Sequence, residues 1–247
     1  MDITSSHSNS RSHTTRRQFL KALGITTAGL LGEGPLTQLA YADALTKAQR
    51  DKMTPDEIIA LMERGNERFR SGEKTTQDYL AQQRASAKGQ YPAAVILSCI
   101  DSRAAAETIM DLGIGDVFNA RVAGNVINED ILGSIEFACK VAGAKVVLVM
   151  GHTACGAIKG AIDDVQLGNL TGLIAKIRPA VTATSYEGDR TSSNYAFVNA
   201  VARKNVELTI EAIRKSSPVL MELKAQGNAN IIGAMYDIET AKVDFFR

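Results

Sequence analysis

Tryptophan is absent from this 247-residue chain, and neither the basic nor the acidic residues gather into a long block, the formal charge being +1. Nothing therefore suggests a nucleic-acid surface or a solvating acidic tail, while a small neutral or anionic ligand remains compatible. No apolar run approaches the roughly 20 residues that a bilayer span requires. The nearest candidate, Ala22 to Gly32, is interrupted by Gly24 and Gly29 and followed by Glu33, Gly34 and Pro35. Histidine is scarce, with three in all, and His7 and His13 both fall in a polar N-terminal stretch. Cysteine is equally scarce, and three cysteines cannot all pair within one chain.

What is there begins with an ordered succession at the N-terminus. Residues 1 to about 15 are rich in Ser, Thr, Asn and His without hydrophobic periodicity, so they stand outside the fold. Thr15-Arg16-Arg17-Gln18-Phe19-Leu20-Lys21 then precedes the weakly apolar stretch, and Ala40-Tyr41-Ala42 has the small-X-small form of a cleavage site. The paired arginines with Phe-Leu-Lys resemble a twin-arginine export signal. Residues 1–42 are thus expected to be a leader cleaved after Ala42, handled by export machinery and leaving a periplasmic or otherwise exported protein without a stable membrane anchor. A basic tail beside a short surface helix is the alternative.

Asp43 to Arg247, about 205 residues, suits one domain with a substantial core. Thr54 as N-cap, Pro55 at the first helical position and two early acids predict a helix over 54–70, with Ile58, Leu61 and Met62 forming its apolar stripe. A more polar helix is expected over 76–88. From Ala93 short apolar runs alternate with helical patterns, which predicts parallel strands joined by crossover helices. Strands are expected near 93–98, 116–121, 145–150 and 229–235, with a last edge strand at 242–246. Helices are expected near 104–112, 129–142, 155–165, 171–184 and 195–216. The fold class is α/β, a mainly parallel sheet flanked by helices, with an N-terminal helical arm over 43–92 and a core over 93–247.

Two of the apolar runs end on metal-ligating side chains. Ala93-Ala-Val-Ile-Leu-Ser98 leads into Cys99-Ile-Asp101-Ser-Arg103, and Ala144-Lys-Val-Val-Leu-Val-Met-Gly151 leads into His152-Thr-Ala-Cys155. Ligands in open parallel sheets gather outside the carboxyl ends of strands. Two thiolates, one imidazole and one carboxylate suit four-coordinate zinc better than magnesium or calcium. The fourth position decides the chemistry. Asp101 there would close the site, whereas water there would let zinc generate hydroxide near neutral pH. Arg103 offers a guanidinium fork that could hold the carboxylate off the metal. The alternative is two small buried cysteines and a hydrogen-bonded core histidine. Bound zinc would also keep Cys99 and Cys155 as thiolates in an oxidising compartment. Cys139, on an expected helix, reads as a small buried side chain.

Ser98-Cys99-Ile-Asp101-Ser102-Arg103, Gly115-Asp116-Val-Phe118-Asn-Ala-Arg121-Val-Ala123-Gly124-Asn125 and Gly151-His152-Thr-Ala-Cys155-Gly156-Ala157 resemble the β-class carbonic anhydrases. The resemblance runs from about Glu57 to Phe246 and includes Gly65-Asn66-Glu-Arg68-Phe69, Ser217-Pro218 and Gly233-Ala-Met-Tyr236-Asp237. It implies an α/β fold, a homodimer or dimer of dimers, and reversible hydration of carbon dioxide to bicarbonate and a proton. It further implies one zinc per chain on Cys99, His152 and Cys155. Asp101 would either bind that zinc in an inactive form or pair with Arg103 in an active one. Gln90 matches a substrate-orienting glutamine in sites built across the dimer interface. Phe118 and Phe137 match the apolar wall of the pocket, Phe137 standing where many members have Tyr, and Gly156 is included among the substrate-side residues. Ala105 and Ala106 lack a common proline, and Ala241 replaces a frequent turn glycine. Hydrolysis of carbonyl sulfide or carbon disulfide on the same centre, or a catalytically silent zinc-stabilised dimer, are the competing readings. His152 is the only histidine beyond the leader, so none is free to shuttle the proton.

Overall fold

The structure is a computed structural model that describes residues 44–246. The expected leader over 1–42 lies outside the described residues.

Five strands form one sheet in the order β2-β1-β3-β4-β5. The strands are β1 (Ala94–Ser98), β2 (Val117–Arg121), β3 (Val146–His152), β4 (Asn230–Tyr236) and β5 (Val243–Phe246). The first four run parallel, and β5 returns antiparallel on β4. Both β1 and β3 are buried along their whole length, as expected of continuous Val, Ile and Leu runs inside a parallel sheet covered on both faces. Ser98 stands level with Arg121 on one side and Met150 on the other. The chain passes from β1 outward to β2 and then back across β1 to β3, so the strand order reverses between β1 and β3. In open parallel sheets, ligands gather outside the carboxyl ends at such a reversal.

Period-two alternation sends successive side chains of each strand to opposite faces. On one face Ile96, Leu148 and Met150 pack with Ile58, Ile59 and Met62 of α2 (Pro55–Ser71). Full burial of each such side chain contributes roughly 1.5–3 kcal/mol. On the other face Val95, Leu97, Val147 and Val149 meet Val206, Ile210 and Ile213 of a long helix over Tyr195–Ser216. A third apolar cluster, holding Ile158, Ile174, Ile177, Phe197, Val198 and Val201, contains both Cys99 and Cys155.

The N-terminal arm carries α1 (Lys47–Lys52), α2 and α3 (Tyr79–Ser86). Thr54 and Glu57 form a reciprocal capping box ahead of Pro55, and Gly72 closes α2 in the left-handed region at φ 78°. Helix α1 leaves no periodic mark in the sequence, because Lys-Ala-Gln-Arg-Asp-Lys has no apolar stripe and its start rests on the Thr46–Gln49 capping box. In the core follow α4 (Ala106–Ile109), α5 (Glu129–Glu136), α6 (Gly156–Ile162), α7 (Gly168–Ala183), α8 (Tyr195–Ser216) and α9 (Pro218–Ala225).

Three expectations change. The helix over 104–112 shrinks to the four residues of α4, since an irregular loop precedes it. The helix over 129–142 ends as α5 and continues as a π-type turn over Phe137–Val141, which leaves Phe137 and Val141 largely exposed. A second helix, α9, follows α8 directly. Ser217 ends one and caps the other through its Oγ on the Leu220 N–H, with Pro218 at the first helical position. Ala241 does adopt the left-handed backbone expected of a turn glycine, at φ 60°. Among the described residues no helix is long and apolar enough to cross a membrane.

Candidate metal centre

The carboxyl end of β1 delivers Cys99, and the carboxyl end of β3 delivers His152 and, three residues on, Cys155. Their Sγ, imidazole and Sγ atoms lie within 4.8 Å of one another, and all three residues are buried. The thiols stand 4.0 Å apart and are free cysteines. Two thiolates on one tetrahedral ion, each at about 2.3 Å, would stand roughly 3.8 Å apart. His152 Nδ1 lies 2.9 Å from the Thr153 carbonyl. A carbonyl only accepts, so Nδ1 carries the hydrogen and Nε2 presents a lone pair. That Nε2 is buried without a hydrogen-bond partner. An orphaned acceptor beside two thiols is what a zinc-ligating histidine requires, and its outer nitrogen is already fixed by a carbonyl. The donor set fits zinc.

The two sulfurs differ in their surroundings. The contact with Cys155 pulls the Cys99 thiol well below its ordinary value; burial opposes this, and the backbone N–H groups of Gly124 and Asp101 reinforce it. Cys155 is pushed up by the same contact and by burial. Cys139 sits on the α9 side of the sheet, where burial raises its thiol to about 12, and takes no part in the centre.

Asp101 is committed to Arg103. Its Oδ1 accepts from Arg103 Nε at 2.9 Å and from the Arg103 backbone N–H at 2.9 Å, and its Oδ2 accepts from the guanidinium at 2.7 Å. These bonds outweigh burial and hold the carboxyl far below the usual range. Oδ2 still lies 3.8 Å from His152 Nε2, so the carboxylate borders the three ligands. Of the four residues read as possible ligands, the structure converges Cys99, His152 and Cys155 and pairs Asp101 with Arg103.

The other residues expected at the site separate in space, as the strand directions require. Gln90 precedes β1 and lies at its amino end, in an open surface cavity of about 460 Å³ with Ser86, Lys88, Ile114 and Val117. Within one chain it stands at the far end of β1 from Cys99. Phe118 and Phe137 meet edge to face with ring centres 6.3 Å apart, on the sheet face covered by α5 rather than in the cluster around the ligands. Gly156 opens α6 immediately after Cys155 and is exposed, with open space where a Cβ would stand.

Three supporting side chains escape a reading of the sequence alone. Arg121, at the end of β2, donates from Nε to the Cys99 carbonyl at 2.9 Å and from its guanidinium to the Asp101 carbonyl at 2.6 Å. Asn205 and Asn199 of α8 reach the two ligand loops. For Arg121 the register is a usable signal, since it closes an expected strand beside the Cys99 strand. For the two asparagines only their polarity inside an apolar helix pattern could flag them.

Comparison with known proteins gives one family description, carbonic anhydrase, matched over residues 94–243. A carbonic anhydrase 2 of Mycobacterium tuberculosis is 34% identical over 187 residues, covering 73% of this chain and 87% of that protein. The carbonic anhydrase of Mycolicibacterium smegmatis is 32% identical over 182 residues, with the same shares covered. Among solved structures, a tetrameric β-carbonic anhydrase of Sordaria macrospora superposes with a TM-score of 0.60 at 27% identity, over 65% of this chain and 83% of its own. A β-carbonic anhydrase of Aspergillus fumigatus gives 0.58 at 28%, over 66% and 79%.

Proposed function

The chain belongs to the β-class carbonic anhydrase family, and from that membership we infer that its centre catalyses the reversible hydration of carbon dioxide to bicarbonate and a proton. The observation that carries this reading is the buried Cys99–His152–Cys155 group beside an Asp101 already tied to Arg103. Zinc held by those three residues supplies Lewis acidity that makes water nucleophilic near neutral pH. The chain does the rest. The Thr153 carbonyl keeps Nδ1–H occupied, so His152 offers Nε2 and no proton. Arg103 keeps Asp101 ionised and beside the ligands without joining them. An ionised carboxylate only accepts hydrogen bonds. Asp101 Oδ2 therefore takes the proton-bearing side of the attacking water and leaves a lone pair for the carbon of the substrate.

Gln90 and the Phe118–Phe137 wall are assigned to substrate, with Gly156 leaving room beside Cys155. The position of Gln90 at the opposite end of β1 supports a site completed by a second copy, hence a homodimer or a dimer of dimers. The exposed Phe137, edge to face with Phe118 of the outer strand β2, and the exposed Val141 provide apolar surface for it. A solution mass equal to one chain would contradict that assembly. The arm over 43–92 and the core over 93–247 act as one domain. We also assign residues 1–42 to a twin-arginine leader and the mature protein to the periplasm. Burial of Ala44 and Leu45 supports a mature chain that starts beside them. N-terminal sequencing of the exported protein should begin at Asp43; a retained leader would refute the assignment.

The direct test of the ligand set is Cys155→Ser. It should lose zinc, from about one ion per chain, together with carbon dioxide hydration. Retention of both would remove Cys155 from the centre.

A further inference from the structure

We propose that α8 sets the geometry of both thiolate ligands through two asparagines, Asn205 acting on Cys99 and Asn199 acting on Cys155. The inference rests on the zinc reading above and goes beyond it by assigning positioning residues outside the ligand loops.

Helix α8 is fixed against β3 just before the histidine ligand. A Cβ on Gly151 would stand 2.7 Å from Val206 Cγ2 and 2.8 Å from Met235 Sδ, so the absence of a side chain there lets the helix approach the strand. Asn205, 3% exposed, lies on the buried face of α8 with Val201, Ala202 and Val206. A buried amide is costly unless bonded. Its Nδ2 donates to the Gly124 carbonyl at 2.7 Å, across 81 residues of sequence. Gly124 is left-handed at φ 68°, and its own N–H points to Cys99 Sγ at 3.3 Å. Asn205 thus holds the turn that aims an N–H donor at one ligand sulfur.

Six residues earlier, Asn199 Oδ1 accepts from the Ala154 N–H at 2.9 Å. Ala154 is also left-handed, at φ 53°, without being glycine, and it directly precedes Cys155. A non-glycine residue persists in that conformation only where its surroundings hold it. The second asparagine therefore stabilises the bend that brings Cys155 back beside His152. One rigid helix, pinned at Gly151, reaches both halves of the ligand set. Hydrogen bonds of this outer kind orient ligands and tune the metal, and their loss typically costs 10–100-fold in metal affinity.

The test uses the full-length mature protein loaded with cobalt in place of zinc, together with zinc affinity by chelator competition. Asn205→Leu keeps the number and branching of side-chain heavy atoms and removes the donor. It should move the thiolate-to-cobalt charge-transfer band and weaken zinc binding about 10–100-fold. Thr209→Val, a buried polar change one turn further along α8, should leave both at the wild-type value. Asn199→Ala should weaken zinc binding in the same range, and it decides the matter alone if Asn205→Leu does not fold. A folded Asn205→Leu or Asn199→Ala protein with a wild-type band and wild-type zinc affinity would overturn the proposal, even with a lower melting temperature. Wild-type protein that takes up neither metal would instead overturn the zinc reading and this inference with it.

Discussion

Asp101 has two neighbours within reach, the guanidinium of Arg103 and the imidazole of His152, and it takes the first in a two-pronged grip while staying 3.8 Å from the second. That choice makes its carboxylate an acceptor poised beside the ligands rather than one of them. Asp101→Asn keeps the shape but puts an amide donor where only acceptance is useful, and should lower kcat/KM for carbon dioxide hydration by roughly 100-fold with zinc content unchanged. A rate near wild type in steady-state or stopped-flow measurement would deny Asp101 that role. The ligands themselves are legible in the sequence because each is chemically conspicuous, two cysteines and one solitary histidine at the ends of apolar runs. Asn199 and Asn205 are not, since an asparagine inside a helix carries no sign of the distant carbonyl or N–H it will meet. Gln90 enters only by resemblance, and within one chain it stands at the opposite end of β1 from Cys99.

Helices and strands follow the hydrophobic period wherever burial is one-sided or complete. The strand expected near 145–150 is β3, Val146–His152, and the helix expected at 195–216 is found over those residues. Periodicity fails where side-chain chemistry, not burial, ends an element. The 129–142 helix widens into its π-type turn at Phe137, and Ser217-Pro218 starts α9 by capping, a signal that periodicity does not carry. Ala241 offers a test of backbone strain at this scale. Its φ of 60° is held by the turn before β5, where its carbonyl accepts from Asn66 Nδ2 at 2.9 Å. An L-residue in that region costs roughly 1–2 kcal/mol, partly offset by the greater unfolded freedom of glycine. Ala241→Gly should therefore raise stability by about 0.5–1 kcal/mol, measured as a higher denaturant midpoint at constant m. A lower midpoint would show that the methyl group contributes more through packing than it costs in strain.

At the scale of the molecule, Asp111 ties the arm to the core. Burial pushes its carboxyl up, but the Thr75 N–H at 3.0 Å, Arg68 Nε at 2.7 Å and the Thr75 hydroxyl at 2.8 Å outweigh it, and the net shift is downward. A carboxyl lowered in the folded state contributes stability above its unfolded value, near 3.8, and loses it as pH falls through the folded value. Asp111→Asn should cost about 1.5–3 kcal/mol at pH 7. The difference from wild type should shrink below about pH 4, and a gap independent of pH in urea titrations would exclude this linkage. At the same scale, the one histidine among the described residues belongs to the Cys99–His152–Cys155 group. If the leader is removed as proposed, the product proton leaves through water, a carboxylate or external buffer. The central claim is tested most directly by stopped-flow carbon dioxide hydration from roughly pH 6 to 9 at several buffer concentrations, with metal analysis on the same sample. About one zinc per chain and hydration that rises with pH and with buffer concentration is the predicted result; zinc-loaded protein with no hydration anywhere in that range would contradict it.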